Sequence, residues 1–214
     1  MDFLHPVEAI VPGATGRLLA ALGRVEAELP VATLAQVAGV GRTRASGILA
    51  DLSDLGVVTR REIGRTVLVS LARDNAAGQL IDQLANLRRG VIDRLRQLAS
   101  EIQPEPASLS VFGSFARAEA EAGSDIDLLA VRHPDADGER WATSLMEFVR
   151  RARTLTGNPI EVIDYDLGEL RRKTRGRSAK VGREFWGSIR RDAVILAGAH
   201  PAELLGTGNG TARQ

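Results

Sequence analysis

The sequence predicts an α+β chain whose two domains are joined by a long helix. Apolar residues recur at spacings of three and four in the N-terminal half, and two β-branched stretches flank Gly64. Beyond residue 103, short apolar stretches alternate with helical patterns. Pro104 and Pro106 end the long helix, because proline cannot continue one. We therefore expect a first domain at 1–75, a connecting helix at 76–103, a second domain at 104–200 and a loose tail at 201–214.

The composition excludes several classes of protein. The chain has 214 residues, of which 44% are hydrophobic and 26% are charged, as in ordinary globular proteins. The net charge of +1 provides no overall attraction to nucleic acid, so such a function needs a local charged patch. The chain has no cysteine, which excludes disulfides and thiolate metal sites. It has no secretory signal pattern and no long apolar stretch, so we expect a cytoplasmic protein without membrane contact.

The first domain is predicted to consist of helices followed by a hairpin. The pattern predicts helices over residues 14–28, 33–40 and 42–56, and Pro30 separates the first two. Two strands then flank a turn at Gly64. Over residues 14–72 this order resembles the winged helix-turn-helix domains of bacterial regulators, and the resemblance implies double-stranded DNA as a partner.

The resemblance also implies which side chains contact DNA. A recognition helix contacts bases with its N-terminal residues, and the wing contacts phosphates or the minor groove. The residues at these places are Arg42, Thr43, Arg44, Ser46, Arg61 and Arg65. The alternative is a winged helix that contacts only protein.

One long amphipathic helix is predicted over residues 75–101, because leucines and Val91 recur there at spacings of three and four. This helix could join the two domains rigidly, or it could pair with a second copy in a homodimer. The sequence favours neither arrangement.

The second domain is predicted to alternate strands with helices. Strands are expected at 108–113, 125–131 and 159–165, and helices at 115–123 and 140–157. The segment 167–198 has a helical and basic pattern. Its run of basic residues at 171–183 either steers a nucleotide or an acidic acceptor, or is a solvated face.

Two aspartates occupy the second of these strands. Asp125 and Asp127 are two residues apart, so they project from the same face of a strand. Carboxylates this close repel each other unless a cation compensates them, and Mg²⁺ prefers such oxygen ligands together with substrate phosphates. Two such ions can activate an attacking oxygen and stabilise a leaving one. The plain alternative is a solvent-exposed strand edge.

Gly113 and Ser114 follow the preceding strand. Glycine lets the backbone approach a phosphate, and the following amides and hydroxyl can donate to its oxygens. A helix that begins directly afterwards would add a favourable field for anions. We therefore expect a triphosphate to lie over this turn, a role compatible with Ser114 capping the helix.

The stretch GSFARAEAEAGSDIDLLAV, residues 113–131, resembles the polymerase-β-like nucleotidyltransferases of the minimal type. Their motif is Gly-Ser, a spacer, and Asp-x-Asp between apolar residues. The resemblance covers residues 107–197 and implies an α/β domain with a mixed sheet, a nucleoside triphosphate as substrate and Mg²⁺, two ions, as cofactor. Ala118 departs from the pattern, since glycine is common there, and we expect this difference to matter little.

The resemblance implies roles for individual residues. Asp125, Asp127 and Glu161 would be catalytic and hold the metal, and Glu161 stands where the family usually has aspartate. Asp164, on the other strand face, is the second choice. The nucleotide-binding residues would be Gly113, Ser114, Arg117 and Ser124. The alternatives are a solvated Arg117 and an ordinary strand residue at Glu161.

Two functions follow from these observations. The first is a nucleotidyltransferase that transfers a nucleotidyl group to an acceptor hydroxyl on RNA, protein or a small molecule. Relatives of this type also occur in toxin–antitoxin modules. The second is a DNA-binding transcriptional regulator whose nucleotidyltransferase-like domain senses nucleotide with little catalysis. The third carboxylate discriminates between the two.

Overall fold

Residues 1–174 and 182–204 are described by a computed structural model, in which the chain divides near Gly90. The N-terminal unit comprises Asp2 and Leu4–Gly90. The C-terminal unit comprises Met1, Phe3 and the chain from Val91 onward. This division falls inside the predicted connecting helix.

The N-terminal unit contains helices and a small antiparallel sheet. Its helices are α1 (Pro6–Ile10), α2 (Ala14–Gly23), α3 (Val31–Val37), α4 (Arg42–Asp54) and α5 (Ala76–Ala85). Its strands are β1 (Leu29–Pro30), β2 (Val58–Ile63) and β3 (Thr66–Leu71), and they lie in the order β1-β3-β2. The predicted helices and hairpin are present, although α2 ends at Gly23 instead of residue 28.

The core of the N-terminal unit follows the helical spacing of its leucines. Leu18, Leu34 and Leu49 are each fully buried and belong to one apolar cluster. Gly64 lies in the tight turn between β2 and β3 with a φ of +59°, a conformation that glycine adopts without steric cost. Helix packing and hairpin register thus follow directly from the sequence pattern.

The single long helix predicted over 75–101 is two helices. Helix α5 ends at Ala85, and α6 spans Leu87–Ala99. Asn86 interrupts them, because its side-chain amide donates to the Asp82 carbonyl at 2.9 Å and its backbone leaves helical geometry. A short polar side chain that bonds the local backbone competes in this way with helix continuation.

The C-terminal unit contains a four-stranded sheet. Its strands are β4 (Ser108–Phe112), β5 (Ile126–Arg132), β6 (Ile160–Asp166) and β7 (Val194–Gly198). Its further helices are α7 (Gly113–Ala116), α8 (Gly138–Thr156), α9 (Leu167–Thr174), α10 (Arg183–Asp192) and α11 (Pro201–Leu204). The strand order is β6-β5-β4-β7, with β5 and β6 parallel and the other pairs antiparallel. The expected mixed sheet is confirmed.

Helices α9 and α10 cover one face of this sheet. Leu170 and Ile189 pack there against Leu129 of β5, and all three are fully buried. The opposite face carries Asp164, which accepts a hydrogen bond from the buried Trp141 of α8. Helix α8 therefore lies on the face of the sheet opposite to α9 and α10.

Two local predictions for this unit are wrong. The helix expected over 115–123 is the single turn α7, because Ala118 takes a φ of +62° and ends it. The end of the segment expected to be helical over 167–198 is the strand β7, which pairs with β4 through contacts remote in sequence. Residues 175–181 of the basic run 171–183 lie outside the described residues. The same holds for residues 205–214 of the tail expected at 201–214.

Candidate functional site

Three acidic residues lie near one another at the N-terminal ends of the parallel strands. Asp127 of β5 lies in register with Glu161 of β6, so their side chains share a face of the sheet. Asp125 lies two residues before Asp127, immediately outside the strand, and is exposed. On its other side Asp127 pairs with Phe112 of β4. The structure thus brings together the three carboxylates expected to act jointly.

The electrostatics of Asp127 show that these carboxylates interact. Burial of its half-exposed side chain raises the pKa of Asp127, and the carboxylates of Asp125 and Glu161 raise it further. Arg117 opposes this shift in pKa. A group of like charges of this kind is a place where a bound cation would be favourable.

The close approach of the Asp127 side chain requires a glycine at position 113. A Cβ atom at this position would lie 2.1 Å from Asp127 Oδ2, and the φ of Gly113 is +71°. Both observations restrict the position to glycine. The backbone at Gly113 therefore lies directly against the side chain of Asp127. The sequence had indicated only that this backbone could approach a phosphate.

Ser114 is not the N-cap of helix α7. Helix α7 begins at Gly113 with Phe112 as its N-cap, so Ser114 lies inside the helix instead of before it. Its carbonyl accepts a hydrogen bond from Glu119 N–H at 2.8 Å. The helix has only four residues, so the helix field expected at this turn is small.

Arg117 and Ser124 have partners of their own. Arg117 forms an ion pair with Glu119 at 2.8 Å. The Ser124 hydroxyl accepts a hydrogen bond from Glu121 N–H at 3.0 Å, and its carbonyl accepts one from the Asn158 amide at 2.9 Å. Asn158 is buried and supports the turn directly before Asp125, a role that no sequence motif indicated.

Asp164 lies away from the other acids. Both of its oxygens accept from Trp141 Nε1 at 3.1 Å, and Arg132 lies 3.8 Å away. It is three residues from Glu161 along the strand and therefore on the opposite face. Of the two candidates for a third carboxylate, the geometry favours Glu161.

The chain is similar to proteins of known family over part of its length. Residues 92–175 match the family model of the nucleotidyltransferase domain. No curated protein matches the chain. The matched stretch contains Asp125, Asp127 and Glu161.

Three solved structures are similar to the chain at low identity. A toxin–antitoxin with AMP-PNP is 14% identical, covering 50% of this chain and 73% of its own, with a TM-score of 0.34. NadR in complex with 4-hydroxyphenylacetate is 23% identical, covering 43% and 69%, with a TM-score of 0.32. RV1404 from Mycobacterium tuberculosis is 16% identical, covering 48% and 69%, with a TM-score of 0.32.

The acidic residues fit a hard divalent cation in their chemistry. All three candidates offer carboxylate oxygens, the donors that Mg²⁺ prefers, and their mutual repulsion at Asp127 would be relieved by a cation. Across the described parts of the chain, 1–174 and 182–204, no three acidic or histidine side chains converge closely enough to form a ready metal site. Binding would therefore require side-chain rotation.

The N-terminal unit presents a basic concavity. Arg42 and Ser46 of α4 and Arg65 of the hairpin turn line a cavity of about 330 Å³. Thr43 and Arg44 are exposed in the first turn of α4. Arg61 is hydrogen-bonded to Glu28, which raises the pKa of the Arg61 guanidinium. The structure thus brings three of the six predicted DNA contacts around one surface and places Arg61 in an ion pair.

No helix within residues 1–174 and 182–204 is long and apolar enough to cross a membrane.

Proposed function

We propose that the C-terminal unit is a Mg²⁺-dependent nucleotidyltransferase that moves a nucleotidyl group from a nucleoside triphosphate to an acceptor hydroxyl. The observation that carries the proposal is the alignment of Asp127 with Glu161 across two parallel strands. Asp125 lies two residues before Asp127, and all three acids belong to the stretch that matches the family model. The acceptor class remains RNA, protein or a small molecule.

The reaction transfers the nucleotidyl group in a single displacement at the α-phosphorus. The acceptor oxygen forms a bond to the α-phosphorus, and the bond from that phosphorus to the bridging oxygen of the β-phosphate breaks. Pyrophosphate leaves, and the hydroxyl proton passes to the Glu161 carboxylate. Asp125, Asp127 and Glu161 would hold Mg²⁺, which supplies neutralisation of phosphate charge. Gly113 and Ser114 orient the triphosphate beside them.

The test uses radiolabelled nucleoside triphosphate, Mg²⁺ and candidate acceptors. The wild-type chain should transfer label and release pyrophosphate, and the Asp125→Ala/Asp127→Ala double variant should not. The single Asp127→Asn variant keeps the shape of the side chain and removes its charge, so it should lose activity without unfolding in circular dichroism. Equal label transfer by wild type and the double variant would refute the proposal.

We further propose that the N-terminal unit is a winged helix that binds double-stranded DNA. Its support is the concavity that Arg42, Ser46 and Arg65 share. If the chain is chiefly a regulator, it should bind nucleotide without transferring label, and nucleotide should change its affinity for DNA. If it is chiefly an enzyme, label transfer should proceed without duplex DNA.

A further inference from the structure

An aromatic cluster extends from the carboxylate site to the surface. The ring of Phe112 lies 5.6 Å from that of Phe185, edge to face, and Phe185 lies 4.9 Å from Trp186 in the same manner. Phe112 is 8% exposed and Trp186 is 7% exposed, whereas Phe185 is 38% exposed. Phe185 is thus the member of this cluster whose ring contacts other rings and is also exposed to solvent.

Phe112 connects this cluster to the proposed chemistry. It lies in register with Asp127 across β4 and β5, and it directly precedes Gly113. Helix α10, which carries Phe185, also lies against α7, the short helix that begins at Gly113. Phe185 therefore lies one ring beyond the residue that flanks both the acids and the predicted phosphate turn.

Helix α10 is attached to the sheet through side chains other than Phe185. Trp186 and Ile189 are the buried residues of α10, and they already pack against the sheet. An exposed large apolar side chain that neighbouring rings hold in place can offer a flat surface to a ligand without losing much side-chain entropy.

We propose that Phe185 is the base-stacking residue of the nucleotide site, so that the base of the triphosphate substrate lies on its exposed ring. This inference rests on the proposed nucleotidyltransferase function. Stacking accepts every base, because each has a π-face, so Phe185 would supply affinity with little base selectivity. The site would then favour a nucleoside triphosphate over a triphosphate without a base.

The test compares two ligands in the presence of Mg²⁺: ATP, and inorganic tripolyphosphate, which lacks a base. Stacking contributes about 1–3 kcal/mol per base, so Phe185→Ala should weaken ATP binding by roughly 5-fold to 150-fold. Tripolyphosphate affinity should not change. Isothermal titration calorimetry of the full chain measures both.

Two further variants separate stacking from packing. Phe185→Leu keeps apolar volume without a π-face and should lose ATP affinity like Phe185→Ala, whereas Phe185→Tyr should restore it. In the transfer assay Phe185→Leu should raise KM and leave kcat unchanged. Wild-type ATP affinity in Phe185→Leu, or equal loss for both ligands, would overturn the inference and leave the carboxylate proposal standing. Failure of the wild type to bind either ligand would overturn both.

Discussion

Ala118 takes a backbone conformation that ordinarily belongs to glycine. Its φ is +62°, and it is the one non-glycine residue with a positive φ in the described ranges 1–174 and 182–204. Hydrogen bonds from Ala118 N–H to Phe115 O and from Glu119 N–H to Ser114 O end α7 at this point. This conformation gives a physical reason for the glycine that the resemblance leads one to expect at position 118, and the expectation that alanine matters little there stays a prediction.

Replacing Ala118 with glycine should stabilise the chain. The left-handed conformation costs an L-residue about 1–2 kcal/mol, and glycine gives back part of this through its larger unfolded-state entropy. We expect Ala118→Gly to raise the free energy of unfolding by about 0.5–1 kcal/mol in urea denaturation. The neighbouring Ala122→Gly has no positive φ to relieve and should lower or preserve stability. Destabilisation by both substitutions would contradict this explanation.

Gly113 and Gly123 form a matched pair for testing the contact with Asp127. Both have a positive φ, but only at Gly113 would a Cβ atom meet Asp127, because the space around Gly123 is open within 4 Å. Gly113→Ala should reduce nucleotidyl transfer by about 100-fold, since a displacement of about 1 Å costs that much. Gly123→Ala should share the backbone strain and keep most activity. A similar loss in both would show that strain alone matters.

Glu161 and Asp164 should differ sharply in their effect on activity. Glu161→Gln removes a proposed metal ligand and proton acceptor, so the transfer rate should fall by at least about 100-fold with stability preserved. Asp164→Asn weakens the hydrogen bond from Trp141, so stability should fall by about 1 kcal/mol with transfer retained. Paired activity assays and denaturation curves measure both effects. Loss of transfer in Asp164→Asn alone would reverse the assignment.

Helix α9 is fixed at its start by a reciprocal cap. The Asp166 carboxylate accepts from Glu169 N–H at 2.7 Å, and the Glu169 carboxylate accepts from Asp166 N–H at 2.9 Å. The hydrogen bond from Glu169 N–H is the main cause that lowers the pKa of Asp166 from its usual value, and a bond from Gly168 N–H and the charges of Arg132 and Arg172 add to it. Since Leu170 of α9 is fully buried, this cap positions part of the core beside Leu129.

Removing the cap should lower stability in a pH-dependent way. A depressed folded-state pKa means that Asp166 stabilises the folded chain above its unfolded pKa, and that this contribution is lost as pH falls through the folded value. Asp166→Ala should therefore lower the melting temperature at pH 7, and the difference from wild type should shrink below about pH 4. Asp135→Ala, in an exposed loop, is the control for charge removal. A difference independent of pH would exclude the carboxylate as its cause.

Helix and strand types followed from the sequence where local pattern decides them. The spacing of apolar residues predicted α2, α4 and α8, and the β-branched stretches predicted β2 and β3 around Gly64. The pattern failed at β7, because Val194 and Ile195 are strand residues only through pairing with β4. It also failed at Asn86, where one side-chain hydrogen bond divides a helix with otherwise regular apolar spacing.

The charge of the whole molecule bears on the proposed DNA contact. The chain carries a net charge of +1, so attraction to DNA must come from local arginines such as those around the N-terminal concavity. The pairing of Arg61 with Glu28 withdraws one of the predicted contacts from this surface as long as the ion pair lasts. Local geometry, and not overall charge, therefore governs any such binding.

Substitution in the wing should change the salt dependence of DNA binding. Each phosphate contact contributes about 0.9 to the slope of log affinity against log salt concentration. Arg65→Ala should therefore reduce that slope by about one in fluorescence anisotropy of the full chain with duplex DNA. Arg24→Ala removes the same charge where the side chain donates to Leu4 O, outside the concavity, and should leave the slope unchanged. Equal slopes for wild type and Arg65→Ala would argue against a phosphate contact.

The homodimer and the exact domain limits remain predictions. The chain divides near Gly90, inside the helical region that was expected to connect the two domains.

The sequence by itself determined the chemistry that is available. Residue types and their spacing along one chain segment were enough to indicate Gly113, Asp125 and Asp127, because the motif is local and strand periodicity fixes a shared face. The resemblance put Glu161 ahead of Asp164 as the later acid, but only tertiary structure places it beside Asp127, because parallel pairing aligns Glu161 with Asp127 and leaves Asp164 on the face of Trp141. It also brought Phe185 beside Phe112, since contacts between remote segments depend on how strands and helices pack and leave no periodic signal in the sequence.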